Sequence, residues 1–117
     1  MPCLKILTNL PRSQIPCDFV NKIIPLLSKA VNKSPEKFIC VITGDCEMSF
    51  GGQSSCPGVV ATLESIGNLG YCENKVIAKE VTDFVETELG IPQKNIFLTF
   101  YDVKGQDVAQ DGKTFAK

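Results

Sequence analysis

No histidine occurs among the 117 residues. That absence removes every Ser-His-Asp or Cys-His catalytic arrangement and every His-ligated zinc site. Six cysteines stand at 3, 17, 40, 46, 56 and 72, with no CxxC and no paired short spacings. An all-cysteine zinc site or a thioredoxin-like motif is therefore excluded, and the scatter reads as free thiols packing as small hydrophobes. No run of 18 apolar residues occurs, and the start Met-Pro-Cys-Leu-Lys-Ile has no sustained apolar stretch. We expect neither a membrane span nor a signal peptide, and synthesis in the cytosol with reduced cysteines. Basic excess is missing too: twelve Lys plus Arg face thirteen Asp plus Glu, a formal charge of -1. Nucleic acid is an unsuitable partner on that balance. What remains is an ordinary globular composition, 44% apolar and 21% charged, in a chain long enough for one compact domain over residues 1–117.

Residues 2–8 form a short β-prone run ended by Asn9-Leu10-Pro11. From Ile15 to Lys33, Val20, Ile23, Ile24, Leu27 and Val31 recur at the spacing of one helical face. Pro25 falls inside that helix, removes a backbone donor and predicts a kink. Phe38 to Thr43 is continuously apolar and reads as a buried strand. Met48-Ser49-Phe50-Gly51-Gly52 suggests a short edge segment with glycine turn geometry, and Val59 to Ile66 a further strand ending at Gly67. Glu73 to Leu89 carries Ile77, Val81, Phe84, Val85 and Leu89 on one face and stops at Gly90. Asn95 to Tyr101 is the last long strand, and Asp102 to Lys117 a polar tail.

Strand, helix, strand therefore occurs twice. The two halves also echo each other, since Ser34-Pro35-Glu36-Lys37 and Ile91-Pro92-Gln93-Lys94 each link a helix end to a strand. A duplicated βαβ unit gives an α+β fold with a four-stranded mixed sheet and two helices on one face. The other sheet face lacks a cover, and the poor alternation of 38–42 favours subunits supplying it.

Without histidine, a general base near neutral pH is a desolvated carboxylate, a depressed lysine, a thiolate or the chain's own α-amine. Cleavage of Met1 before a small residue would leave Pro2 as a secondary amine at the rigid start of a strand. Burial, or a cation such as Lys33, lowers the pKa of such an amine. Taken singly, Lys33 at a helix end also simply complements the dipole. Ile66 reads equally as a strand-end core residue, Phe115 as a terminal anchor and Ser65 as a turn residue.

Pro2 opening a strand, Thr8-Asn9, Pro16, Asn32-Lys33, Met48-Ser49-Phe50-Gly51-Gly52, Glu64-Ser65-Ile66-Gly67 and Asp111-Gly112-Lys113-Thr114-Phe115-Ala116 together resemble the macrophage migration inhibitory factor family of tautomerases, over essentially the whole chain. The resemblance implies a homotrimer of ferredoxin-like subunits with active sites at subunit interfaces. It implies that Pro2 is the catalytic base of a keto–enol isomerase, without cofactor or metal, acting on small aromatic α-keto acids or enols such as phenylpyruvate or dopachrome. Lys33, Ser65, Ile66, Phe97, Thr99, Val108 and Phe115 would bind substrate. Phe97 and Thr99 stand where the family's best-known member has tyrosine and asparagine, and Gln110 stands at a tryptophan position. Cys56-Pro57-Gly58-Val59 lacks the second cysteine of the family's redox motif, so thiol oxidoreductase activity is not expected. The rival implied function is a non-catalytic cytokine-like ligand of a cell-surface receptor, released without a signal peptide. A ferredoxin-like nucleic-acid module ranks last, because it would need a basic surface and an aromatic RNA-binding motif.

Overall fold

The computed structural model describes residues 1–117. Strand β1 (Cys3–Thr8) lies between β2 (Ile39–Thr43) and β3 (Val59–Ser65), and β4 (Ile96–Asp102) adds to the outer side of β3, giving the order β2-β1-β3-β4. β1 and β2 are parallel, as are β3 and β4, and the two pairs meet antiparallel between β1 and β3. The expected mixed α+β sheet, made of two βαβ halves, is present.

The first helical stretch is two rods, α1 (Phe19–Lys22) and α2 (Ile24–Val31), separated at Ile23. Pro25 has no N–H to give the carbonyl four residues back and so reopens the helix as an N-terminal residue. The helix begins at Phe19 rather than Ile15. Pro16 holds its preceding residue out of the helical region, and Ile15 is instead buried in the core. The long helix α3 (Tyr71–Leu89) ends at Gly90, whose φ of 69° is left-handed and whose N–H bonds the Glu86 carbonyl at 2.8 Å. Ile91 then turns fully into the core.

Register sorts the sheet into two faces. Leu4, Ile6 and Thr8 of β1 lie opposite Leu63, Ala61 and Val59 of β3, and all six are buried beneath the helices. Leu27 and Val31 of α2 and Ile77, Val81 and Val85 of α3 close the core from above. Phe19 and Phe84 meet edge to face at 5.4 Å, a favoured aromatic geometry. At the far end of β1, Thr8 is fully buried; its hydroxyl donates to the Gly58 carbonyl at 2.8 Å and accepts from the Leu10 N–H. Asn9 bridges the same loop, taking the Gly58 N–H and donating to the Cys56 carbonyl.

The opposite face is open. Lys5 and Leu7 of β1, Ile39 and Val41 of β2, Val60 of β3 and Phe97 and Tyr101 of β4 are all exposed on it. The expectation that 38–43 is a buried strand is corrected here: β2 is an edge strand, with Ile39 40% and Val41 46% exposed. Its apolar run marks two apolar faces, of which the helices cover one. The tail is also more ordered than a polar linker. β5 (Ala109–Gln110) and β6 (Lys113–Thr114) pair through Asp111-Gly112, both at positive φ. Asp-Gly is the usual pair for such a two-residue hairpin turn. Phe50 and Gln53 likewise bridge across Gly51-Gly52, both at positive φ.

Candidate functional site

The head of β1 and the end of α2 meet at one end of the sheet. Asn32 caps α2 in the left-handed region, at φ 61° and ψ 53°. That turn carries Lys33 off the helix axis. Ser28 clamps the lysine's backbone, accepting its N–H at 3.2 Å and donating its own hydroxyl to the Lys33 carbonyl at 2.6 Å. With the main chain fixed, the Lys33 ammonium reaches β3 and donates to the Ile66 carbonyl at 2.6 Å.

Ile66 is held from its own side. Ser65 donates to the Gly67 carbonyl at 2.8 Å, and the Gly67 N–H donates to Asp102 at 3.0 Å. Asn68 extends its amide to the carbonyls of Val31 and Asn32, tying the loop to the end of α2. The Pro2 carbonyl accepts the Ile39 N–H at 3.0 Å. Pro2 is buried at the head of β1, tied to the start of β2 by that bond.

These groups border an open cleft of about 940 Å³, walled by Met1, Ile66 and Phe115 and by the cations Lys29, Lys33, Lys37 and Lys117; Ser28, Asn32 and Ser34 complete it. No acidic side chain lines it. The α-amine of Met1 is shifted below its ordinary pKa, first by burial and then by the charges of Lys33 and Lys37. Lys33 is lowered as well, by burial and by Lys37, with Asp102 acting weakly in the other direction. The thiols of the paired strands β1 and β2 beside the N-terminus, Cys3 and Cys40, do not compete as bases. Burial raises the Cys3 pKa, and Cys40 is pushed up to about 11 by burial and by Cys3. A second cleft of about 820 Å³, between Asn9-Leu10-Pro11 and Cys46-Glu47-Met48, lies at the other end of β1 and gathers no cation.

Among the residues expected at the site, Lys33, Ile66 and Phe115 come together, with Pro2 next to the Met1 wall. Val108 stands behind them, accepting the Phe115 N–H on its carbonyl at 3.0 Å. Ser65 does not reach the cleft: its side is the helix-covered one, it is fully buried, and its hydroxyl is committed to Gly67. Phe97 and Thr99 lie on the open sheet face. Phe97 pairs with Val60 and so sits two rows from the Cys3–Glu64–Tyr101 row beside Pro2, about 13 Å along the strand. Within one chain they take no part in this cleft. Lys29 and Lys37 are the residues sequence reasoning missed. The i, i+4 spacing of Lys29 and Lys33 was the available signal.

The doubled βαβ sheet, open on one face and with a cationic cleft at the head of its first strand, is the architecture of the tautomerase fold class. A sequence model of the family described as macrophage migration inhibitory factor matches residues 1–116. The chain belongs to the macrophage migration inhibitory factor family. It is 34% identical over 116 residues to the macrophage migration inhibitory factor of Xenopus tropicalis, covering 99% of this chain and 100% of that one. The homolog from Trichinella spiralis is 32% identical over 116 residues, covering 98% and 100%. The solved structure of the Trichinella spiralis factor superposes with a TM-score of 0.92 at 29% identity, over 97% of this chain and 99% of that one. The general function of the family, that of a macrophage migration inhibitory factor-like protein, comes with this membership. No helix is long and apolar enough to cross a membrane.

Proposed function

We propose that the chain, as one domain over 1–117 and with Met1 removed, is a cofactor-free keto–enol tautomerase with Pro2 as general base. The observation that carries the reading is the electrostatic setting of the N-terminus. An amine there is depressed by burial and by Lys33 and Lys37, beside a cleft that can receive an acid. A secondary amine lowered by the same causes is more often neutral and free to accept a proton; while Met1 remains, the Pro2 nitrogen is an amide and does not.

In the proposed step the substrate carboxylate pairs with the Lys33 ammonium. The Pro2 nitrogen takes the proton from the carbon next to the ketone. The C–H electron pair becomes the C=C bond, and the carbonyl π pair moves to oxygen, which takes a proton from solvent water to give the enol while the prolinium returns its proton to solvent. The same positions run the ketonisation in reverse. Lys33 places positive charge where the enolate's negative charge develops, worth more in the transition state than in the ground state. Ile66 fixes Lys33, and Phe115 supplies an apolar wall.

We assign the bare sheet face to contacts between subunits of a homotrimer, which would bring Phe97 and Thr99 of one subunit toward the cleft of the next. The test of the enzyme reading is ketonisation of phenylenolpyruvate by protein whose intact mass shows Met1 removed, beside Pro2→Gly. Activity that collapses in the variant supports the proline base; equal activity in both overturns it. A second reading is favoured by Phe97 and Gln110, which carry neither the phenol nor the indole of the best-known family member. In it the protein is a non-catalytic cytokine-like receptor ligand, and processed protein would show no ketonisation at all.

A further inference from the structure

The charge in the cleft exceeds what one carboxylate requires. Lys5, Lys22 and Lys79 each face an acid, at 3.2, 3.1 and 2.8 Å. Lys29, Lys33 and Lys37 have no acid partner within ion-pair distance, yet they border one cleft. Like charges gathered along one cleft repel, and of the chain's acids Asp102 acts on Lys33 in the opposite direction. Lys37 is close enough to act on both Lys33 and the N-terminal amine. Apolar lining is correspondingly thin. Once Met1 is removed only Ile66 and Phe115 remain, and Phe115 is itself 38% exposed. Apart from the Phe97 that the proposed trimer would bring from the next subunit, such a wall offers an aromatic ring little area, whereas the lysines offer an anion charge along the cleft.

We propose that the preferred substrate of this cleft carries two negative charges, a keto–enol acid of the 2-oxo-dicarboxylate class, with one carboxylate on Lys33 and the second on Lys37 and Lys29. This rests on the tautomerase reading above and names its substrate class. Lys33 gives one N–H to Ile66 and keeps two for the first carboxylate. Lys37 follows on the short turn Pro35–Lys37, and Lys29 stands one helical turn before Lys33. The two flank the fixed ammonium, so a second anionic group extending from the first meets charge along the cleft rather than an acidic wall.

The experiment compares kcat/KM for ketonisation of enolic oxaloacetate, a dianion, with that for phenylenolpyruvate, a monoanion, at low salt, using Met1-free protein, Lys37→Met and Pro2→Gly. The dianion is expected to be the better substrate, and the dianion-to-monoanion ratio to fall about tenfold in Lys37→Met. Using the ratio cancels any effect of Lys37 on the base itself. An unchanged ratio overturns the dianion proposal and leaves the proline base standing. Activities unaffected by Pro2→Gly overturn the base and not the substrate class. Binding without turnover is read separately, by NMR titration with succinate and with butyrate. Succinate binding at least tenfold tighter, with the advantage lost in Lys37→Met, supports the proposal even where neither enol is turned over. Equal affinities overturn it.

Discussion

The Lys33 ammonium donates to the Ile66 carbonyl across 2.6 Å, joining the residue after α2 to the residue after β3. A lysine side chain is otherwise free to sample many rotamers. The bond holds the cation at the cleft before any ligand arrives, which is the preorganisation an electrostatic catalyst needs.

Replacing Lys33 by Ala removes both the cation and this bond. In the proposed mechanism the Pro2 amine, freed beside the position where the Met1 amine is depressed by Lys33, then loses that charge, and its pKa is expected to rise. The neutral, active base is present only above that pKa, and the acid limb of the pH–kcat/KM profile is expected to move to higher pH. At the optimum, kcat/KM falls about tenfold or more, as for the loss of one charge-assisted hydrogen bond. A pH profile measured over the acid limb checks both; an unmoved limb refutes the charge argument.

Thr8→Val keeps the shape and removes the hydroxyl that satisfies the Gly58 carbonyl and the Leu10 N–H. The site is fully buried, so water does not readily replace it. A loss of about 1–3 kcal/mol is expected from urea unfolding, with an unchanged m-value.

Gly90→Ala has room for its methyl group, since nothing lies within 4 Å of the added carbon. The cost comes from the left-handed backbone at φ 69° and is about 1–2 kcal/mol. Thermal unfolding should show it as a lower Tm without loss of helix content in the folded protein.

Sedimentation should give a particle of three 12.7 kDa chains. Placing Glu at both Leu7 and Val41, which stand on the open face, should shift it toward the monomer and, if the sites are shared between subunits, lower activity together with mass. A stable monomer in the parent protein would remove the trimer assignment.

Local chemistry made most of this fold legible. Pro25 announced the break between α1 and α2, and Gly90 the end of α3, because each residue has a backbone requirement that no distant contact alters. The error at Ile15 arose because the residue is apolar for the core and not for a helix face. β2 was misjudged because an apolar run reports two apolar faces without saying what covers each. The tail's Asp111-Gly112 turn was visible, but the two-residue strands beside it are too short to show alternation. The site was harder to read. Lys33 and Ile66 are 33 positions apart and were joined only through the family resemblance. Lys37 continues the four-residue spacing of Lys29 and Lys33, but beyond the helix end that spacing marks no common face, because a short turn aims it at the cleft.

The joint at Ile23 also has a bearing on how sequences of this kind can change. Because α2 starts afresh at Pro25 and is seated by Leu27 and Val31, its direction is set without reference to α1. Insertions or deletions at the exposed turn from Pro11 to Gln14 can be absorbed upstream of the joint. The lysine-bearing rod would then keep its place while the connecting loop drifts, leaving that loop open to acquire a different surface in each lineage.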